Sequence, residues 1–400
     1  MNDKTNQNDS CCDNNNSPCD CNTDKVPEPL VMAPVDDQAC CGSPSGAPSG
    51  PSERPGYALW HFVEGFLNTP AGEVPRVKTE MNRSDLLGTI SARTGINRHN
   101  YRIAPGLYCT GNPDDDSPVL VSANYKLSFD ALRKGLDKIS AWILVLDTKG
   151  INVWCAAGKG TFSANEIISR VKLAGLEKVV KHSELILPQL SATGVSAQDV
   201  KKGCGFKIVW GPVRAEDLKR FLSNGNRADN IMRRVTFSIG ERLVLIPVEL
   251  SLTVKPLLWA LPIVFILSGI GADIFSFAGA WSRGISAVLA LVAGVIAGAV
   301  VAPALLPWIP GNAFSFKGTI AGLAAGIGIV IFCNKGLSGF EIAALVLLTS
   351  TVSSYLTMNY TGTTPFTSPS GVEKEMRWAI PFQALSVLIA STLWVWSRFV

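Results

Sequence analysis

The chain has 400 residues, of which 47% are hydrophobic and 17% are charged, and its formal net charge is +4 at pH 7. This composition is too apolar for an ordinary soluble protein and predicts membrane spans. The small net charge, without a basic patch interleaved with aromatic residues, argues against a nucleic-acid-binding protein. We expect three parts: a tail over residues 1–56, an α/β domain over 57–250 and a transmembrane domain over 251–400.

The tail is rich in Asn, Asp, Ser, Pro and Gly, and it has too few large apolar residues to form a core, so we expect it to be disordered. Six cysteines occur here in close pairs: Cys11, Cys12, Cys19, Cys21, Cys40 and Cys41. No apolar signal segment precedes them, so we expect reduced thiols. Closely spaced thiols suit soft metals and make the six a candidate Hg(II) site, although incidental cysteines in a variable extension explain the pattern equally well.

Residues 60–95 are expected to extend the folded domain at its N-terminal side. Residues 74–78 favour an edge strand. Asn82 and Asp85 are typical of a helix start and predict a short helix through Ile90.

From residue 100 to 250, strand-like and helix-like segments alternate, which predicts a Rossmann-like α/β layer. The predicted strands span residues 119–122, 141–146, 150–154, 185–187, 206–210 and 243–248, and residues 177–183 are a further candidate. The predicted helices span residues 129–138, 164–174, 197–202 and 215–223. Ser163 and Glu166 favour a capping box, and Gly175 favours a helix end. There is no GxGxxG motif to support nicotinamide binding.

The segment over residues 151–160 reads Ile-Asn-Val-Trp-Cys-Ala-Ala-Gly-Lys-Gly and places one cysteine just after a predicted strand, where ligands usually bind in an α/β layer. The residues alone leave three interpretations of Cys155 open. It is a buried thiol, a nucleophile activated by His61, His99 or His182, or a single soft ligand to a metal that is otherwise held by a macrocycle. A structural zinc site would need about four protein ligands.

Five apolar runs follow residue 250, and each approaches the roughly 20 residues that a helix needs to cross a bilayer. They span residues 256–277, 284–306, 318–333, 340–356 and 378–396. Glycines at 294 and 298, and at 318, 322 and 326, are spaced to allow close helix packing. Asp273 is expected either to face a polar interior or to lie near a helix end at the membrane interface.

The octapeptide over residues 152–159 resembles the signature of the mercury-methylation corrinoid proteins, and further stretches resemble that family and the related corrinoid iron–sulfur proteins. These further stretches cover residues 105–108, 117–130, 187–190 and 210–218. The resemblance extends closely over roughly residues 101–250 and, in layout, over the hydrophobic part. It implies an α/β corrinoid-binding domain followed by an all-α bundle of five transmembrane helices.

The same resemblance implies that Cys155 is both the catalytic residue and the lower axial ligand of the corrinoid cobalt. It assigns nine neighbours to cofactor binding: Ser122, Asn124, Asn152, Val153, Trp154, Ala156, Ala157, Gly158 and Lys159. The implied reaction moves a methyl group from a methyl-tetrahydrofolate-type donor to Hg(II). Because the sequence has no recognisable iron–sulfur motif, the implied electron donor is a ferredoxin-like partner with two [4Fe-4S] clusters.

Two other functions remain open at this level: a membrane-bound corrinoid methyl carrier of the acetyl-CoA pathway, and a non-catalytic membrane metal-binding protein. Without a signal peptide, the front of the chain is expected to stay in the cytoplasm. We therefore expect a multi-pass protein of the inner (cytoplasmic) membrane with its corrinoid domain on the cytoplasmic side, to which the Lys and Arg distribution adds only slight support.

Overall fold

The computed structural model describes residues 60–98, 100–272, 274–333, 336–360 and 369–400. In this part of the chain a mixed α/β sheet domain is followed by five long apolar helices, so the predicted fold class is confirmed. The six tail cysteines, His99 and Asp273 lie outside the described residues, and the predictions made for them stay predictions.

The sheet has seven strands: β1 (Val63–Thr69), β2 (Gly72–Val77), β3 (Gly106–Thr110), β4 (Val119–Ala123), β5 (Ala141–Leu146), β6 (Glu184–Leu187) and β7 (Lys207–Trp210). Their spatial order is β1-β2-β3-β5-β4-β6-β7. β5, β4, β6 and β7 are parallel to one another, β3 is antiparallel to β5, and β1 and β2 form a hairpin. Every residue of β4 and β5 is buried, as expected for central strands with both faces covered.

The order of the parallel strands places a crevice at one point of the sheet. The chain goes from β4 to its neighbour β5, and then crosses back over β4 to β6 on the other side. The connection that leaves β4 runs to β5 on one side, and the connection that leaves β6 runs to β7 on the other side. The carboxyl ends of β4 and β6 therefore flank a topological switch point. This is where open α/β sheets usually bind ligands.

Six helices belong to the sheet domain: α1 (Arg83–Arg93), α2 (Lys126–Gly135), α3 (Val153–Gly158), α4 (Ala164–Leu173), α5 (Ala197–Cys204) and α6 (Leu218–Ser223). The predicted start of α1 is confirmed, because Asn82 and Asp85 form a capping box. Ser163 caps α4 by accepting a hydrogen bond from the Glu166 amide at 3.3 Å. The Glu166 carboxylate, however, accepts from the Asp147 amide, and therefore the reciprocal bond of the predicted box is replaced. Gly175 follows α4 with φ 55°, as predicted for a helix end.

Several local predictions are wrong. Residues 150–154 are not a strand, because Asn152 caps α3. Residues 177–183 contain a short 3₁₀ turn and no strand, and residues 243–248 are mostly helical. Residues 74–78 fall largely in β2, which pairs on both sides and is therefore not an edge. β1 and β3 were not predicted from the sequence at all.

Four charged side chains from α1 and α2 are buried together, and we call them the buried ion network: Asp85, Lys126, Asp130 and Arg133. Lys126 Nζ lies 2.8 Å from Asp85 Oδ1 and 2.7 Å from Asp130 Oδ2. Arg133 contacts the other oxygens of both carboxylates, at 2.7 and 2.8 Å. Two cations thus balance two anions away from solvent, which is the arrangement that buried charges require. The network fixes α1 against α2.

The membrane part begins with α7 (Ile239–Leu243) and α8 (Ile246–Gly269), so the predicted boundary after residue 250 falls within α8. A short hairpin, β8 (Ile270–Gly271) and β9 (Ile274–Phe275), leads to α9 (Phe277–Ile296), which continues through a π turn into α10 (Ala302–Leu305). α11 (Phe314–Cys333), α12 (Gly339–Asn359) and α13 (Pro369–Trp396) complete the bundle. Five candidate membrane spans of 20 to 31 residues result within the described residues, and the predicted number is confirmed. The first span starts and ends earlier than the predicted run.

Glycines bring the membrane helices close together, as their spacing predicts. A Cβ atom on Gly322 of α11 would lie 2.5 Å from the Ser350 Cα of α12, and one on Gly298 would lie 2.6 Å from the Ser353 carbonyl oxygen. At the other end of the bundle, Arg283 of α9 and Glu341 of α12 form a buried ion pair at 2.6 Å. The helices are therefore held by close backbone packing, by this ion pair and by interhelical hydrogen bonds such as those from Thr349 to the Ala290 carbonyl and from Ser353 to the Gly318 carbonyl.

Candidate functional site

The turn that follows β5 is held by Asn124, which lies just beyond the end of β4. The Asn124 side-chain oxygen accepts hydrogen bonds from the backbone amides of Thr148 at 3.1 Å and Gly150 at 2.9 Å. Its amide nitrogen donates to Asp147 Oδ1 at 3.1 Å. Lys149 and Gly150 both have positive φ, which is costly for lysine and needs such support. Asn124 thereby links β4 to the segment that carries Cys155.

Cys155 lies in the first turn of α3. The Asn152 side-chain oxygen accepts a hydrogen bond from the Cys155 backbone amide at 2.9 Å, so Asn152 is the N-cap of the helix. Val153, Ala156 and Ala157 are buried in the core beneath α3. The remaining face carries the partly exposed Cys155 side chain toward the crevice.

A pocket of about 380 Å³ occupies the topological switch point. Its walls come from the carboxyl ends of β4 and β6, from α2 and α3, and from the segment that follows β7. Representative lining residues are Leu120, Ser122, Leu132, Asn152, Val153, Trp154, Cys155, Leu187, Pro188, Gly211, Pro212 and Arg214. Most of these side chains are apolar. The pocket is large enough for part of a cofactor-sized ligand.

Four of the five sequence stretches that carry the resemblance supply walls of this pocket; they cover residues 117–130, 152–159, 187–190 and 210–218. The fifth stretch, residues 105–108, ends in the core, where Tyr108 donates a hydrogen bond to the Ala104 carbonyl oxygen at 2.8 Å. Segments separated by up to about 100 positions in the chain therefore converge on one cavity.

The sequence-predicted cofactor residues divide into two groups within the described part of the chain. Ser122, Asn152, Val153, Trp154 and Cys155 line the pocket. The others lie off its wall: Asn124, Ala156, Ala157, Gly158 and Lys159. The two alanines are buried behind α3, whereas Gly158 and Lys159 are exposed at the end of this helix.

Sequence reasoning did not identify several residues that line the pocket. Arg98 and Leu245 approach it from outside the strand ends, and residues 211–214 close it after β7. The position of residues 211–214 directly after a parallel strand is a usable sequence signal. Arg98 and Leu245 carry no comparable signal, since only the tertiary structure brings them there.

Among the described residues no histidine lies beside Cys155 to activate its thiol as a nucleophile. His61 lies 2.9 Å from Asp85, next to the buried ion network. His182 Nε2 lies 2.9 Å from the Ser117 carbonyl oxygen. Neither imidazole lines the pocket.

The donor set of the pocket fits a group that brings its own metal. No cluster of three or more His, Cys, Asp or Glu side chains that could hold a metal ion is found in the described chain. Cys155 could offer one soft sulfur ligand, and Arg98 could offer a cation to anionic substituents, whereas Arg214 is paired with Glu241. A corrinoid, which the sequence resemblance implies, would bring its own metal and most of the metal's ligands, so one protein sulfur on an apolar wall would suffice.

Comparisons with known proteins match the sheet domain. Residues 77–222 match the CdhD family model, described as CO dehydrogenase/acetyl-CoA synthase delta subunit. Similar curated proteins include the acetyl-CoA decarbonylase/synthase complex subunit gamma of Methanopyrus kandleri, with 31% identity over 127 residues, which is 31% of this chain and 27% of that protein. The gamma subunit of Methanocaldococcus jannaschii shares 31% identity over 129 residues, 32% of this chain and 26% of that protein.

The chain thus spans about a quarter of the length of these relatives, and the five apolar helices lie outside the matched residues. Almost the whole wall of the Cys155 pocket falls inside the match, with Leu245 as an exception. Residues 77–222 are therefore similar to the CdhD family and distantly related to acetyl-CoA decarbonylase/synthase gamma subunits, and five apolar helices follow them in this chain.

Proposed function

We propose that this protein is a corrinoid-dependent methyltransferase that accepts a methyl group from a methyl-tetrahydrofolate-type donor and passes it to Hg(II). The observation that carries the proposal is the position of Cys155 on the wall of the switch-point pocket, without a competing protein ligand among the described residues. The related domain in acetyl-CoA decarbonylase/synthase subunits supports corrinoid methyl transfer in general. The octapeptide over residues 152–159 supports mercury as the acceptor.

When bound, the corrinoid supplies the cobalt–carbon chemistry of methyl transfer. Cys155 would hold the cobalt through its sulfur, and Asn152 fixes the backbone that carries it. Leu132, Val153 and Leu187 would provide apolar walls against the macrocycle. Arg98 would hold anionic substituents of the cofactor or donor, whereas Arg214 is paired with Glu241.

Electrons are expected from a partner, which we propose is the ferredoxin-like protein with two [4Fe-4S] clusters. The cysteines that the structure describes are Cys109, Cys155, Cys204 and Cys333, and they are far apart in the sequence. A [4Fe-4S] cluster needs about four cysteine thiolates close together. The described residues thus offer no cluster site of their own.

The test uses the anaerobically purified full-length chain and compares Cys155→Ala with Cys204→Ala. Cys204 is a matched control, because its thiol is also partly exposed but lies in α5, where it contacts the Val200 carbonyl oxygen. We expect Cys155→Ala to lower methylmercury formation by more than about 100-fold and to change the optical spectrum of the bound corrinoid, while Cys204→Ala does neither. Full methylation activity in Cys155→Ala would refute the ligand role.

A second candidate function is a membrane-bound methyl carrier for acetyl-CoA synthesis, which the names of the relatives favour. The two functions share the corrinoid and differ in the methyl acceptor. Methyl transfer from the loaded protein to Hg(II) but not to an acetyl-CoA synthase identifies the first. The reverse result identifies the second.

We also propose that the helices lie in the cytoplasmic membrane with the sheet domain on the cytoplasmic side. The five candidate spans support a membrane location. Protease added to sealed inverted vesicles should cleave the sheet domain, whereas protease outside intact spheroplasts should not.

A further inference from the structure

A cleft of about 730 Å³ lies inside the membrane part, between α8, α9, α12 and α13. It opens toward the surrounding lipid, since Ile380 and Val387 of α13 are 40% and 41% exposed although they line it. Its volume is in the range of ligand-binding cavities. It is separate from the Cys155 pocket and plays no part in the chemistry proposed above.

The cleft is polar at one end and apolar at the other. Glu249 and Thr253 of α8 and Asn359 of α12 line the end nearest the sheet domain. Leu257 and Ala260 line it further along α8. At 1.5 Å per residue, Glu249 and Ala260 are roughly 16 Å apart along the helix, about half the thickness of a bilayer core. The shape therefore suits one lipid chain with a polar head.

We expect the polar end of the cleft at headgroup level. A bilayer core takes roughly 20 helical residues, and counting back from Gly269 at the end of α8 puts its boundary near Leu250. On this count Glu249 falls where the polar part of a lipid begins.

The polar groups at this end offer acceptors and few donors. Within the described residues the Glu249 carboxylate forms no hydrogen bond or salt bridge, and it lines the cleft. Thr253 donates its hydroxyl proton to the Leu250 carbonyl oxygen at 2.8 Å. Gln383 donates its amide to Ser354 at 3.0 Å, and its buried Oε1 atom accepts from no described donor. A positively charged hydrogen-bond donor would satisfy these acceptors and would also balance the carboxylate.

We propose that the cleft binds a phospholipid with a primary-amine headgroup, a phosphatidylethanolamine. One acyl chain lies along Leu257 and Ala260, and the ammonium donates to Glu249. Leu245 in the wall of the Cys155 pocket is one helical turn from Glu249, so the lipid headgroup borders the catalytic domain.

The test is native mass spectrometry of the full-length chain in detergent, supplied in turn with phosphatidylethanolamine, phosphatidylcholine and phosphatidylglycerol. We expect phosphatidylethanolamine to be retained about tenfold better than the other two, because hydrogen bonds to a charged group of this kind are strong. Glu249→Gln should remove this preference. Equal retention of the three lipids, or preference for phosphatidylglycerol, would overturn the proposal.

A pair of tryptophan substitutions tests the location. Ala260→Trp fills the cleft, whereas Leu258→Trp places the same indole side chain two residues away at a position that is 63% exposed. Of these two variants, only Ala260→Trp should fail to retain the lipid. If Ala260→Trp does not purify as a folded protein, Val387→Trp on the opposite wall of the cleft is tested in its place. Retention of phosphatidylethanolamine by a folded cleft-filling variant would refute the site, and none of these readouts depends on methyl transfer.

Discussion

The sheet domain and the membrane bundle bury charged side chains in different ways. In the sheet domain the buried ion network joins four charges, each at most 3% exposed. In the bundle the buried Arg283–Glu341 pair ties α9 to α12 at the end away from the sheet domain. Both of these buried ion clusters lie away from the cavities. The Cys155 pocket has no carboxylate among its described lining residues, and the Glu249 carboxylate in the membrane cleft forms no hydrogen bond or salt bridge within the described part of the chain.

α2 shows how the sheet domain achieves this separation. Lys126, Asp130 and Arg133 face the network, while Ser128 and Leu132, on another side of the same helix, line the pocket. Paired charges therefore hold the helix in place from behind. The face toward the pocket remains available for binding.

The largest expected effect comes from breaking the network. Lys126→Met leaves two buried carboxylates with one cation, and we expect a loss of about 3–5 kcal/mol in the free energy of unfolding of the sheet domain. Lys134→Met is the matched control, since Lys134 is exposed on the same helix. The free energy of unfolding of the sheet domain is measured for both variants by denaturant unfolding, with limited proteolysis as the readout. A change below about 1 kcal/mol for Lys126→Met would contradict the role of the network.

The same network predicts a loss of stability in acid. Burial raises the pKa of Asp85, but hydrogen bonds from Lys126 and Arg133, with those from the Asn82 amide and His61, outweigh it and hold the pKa well below its ordinary value of 3.8. A depressed pKa stabilises the fold above pH of about 4, and this contribution is lost as the pH falls further. Asp85→Asn should be less stable than the wild type at pH 6, and the difference should shrink toward pH 2. A constant difference across this range would contradict the assignment.

The stability of the membrane bundle should depend on side-chain volume at the glycine contacts between helices and less on charge. Gly322→Ala places a methyl group against the Ser350 backbone, and we expect a loss of about 1–3 kcal/mol in bundle stability. Gly328→Ala on the same helix is the control, because nothing lies within 4 Å of its added Cβ. Unfolding in mixed micelles compares the two. Equal effects of both substitutions would mean that α11 and α12 pack less closely than described.

The smallest effect concerns the support of Cys155. Asn152→Ala removes the cap of α3 and should cost about 1 kcal/mol, whereas Asn152→Asp keeps an acceptor and should cost less. The rate of Cys155 alkylation by a maleimide, measured by mass spectrometry on the peptide that contains Cys155, reports the change in its position. We expect faster and less uniform labelling in the alanine variant only. Identical labelling in both variants would argue against positioning by Asn152.

Local patterns were sufficient where an element is long or buried on both faces. β4, β5 and the five apolar helices were predicted because continuous apolar runs specify them. α3 was missed because six residues are too few to show a helical period, and the alternation around Val153 imitates a strand. β1 contains glycine and asparagine and is stabilised by pairing with β2, which no local pattern reveals.

For the site, the sequence predicted Cys155 and its neighbours, because a resemblance needs only consecutive residues. It could not predict Arg98 or Leu245, which reach the pocket through contacts between distant segments. Asn124 was predicted from the sequence to bind the cofactor, but its described contacts serve another purpose. In the structure it organises the turn that leads to Cys155. Its role at the cofactor stays a prediction.

Leu245 connects the pocket to the membrane bundle. It lines the cavity and directly precedes α8, the first long helix of the bundle. Gly95, near Arg98, packs so closely on this helix that an added Cβ would lie 2.4 Å from Ser251 Oγ. Membrane helices adjust their tilt to the thickness of the hydrocarbon layer. We therefore expect a change in the tilt of α8 to move one wall of the pocket, so that the width of the cavity beside Cys155 follows the thickness of the membrane.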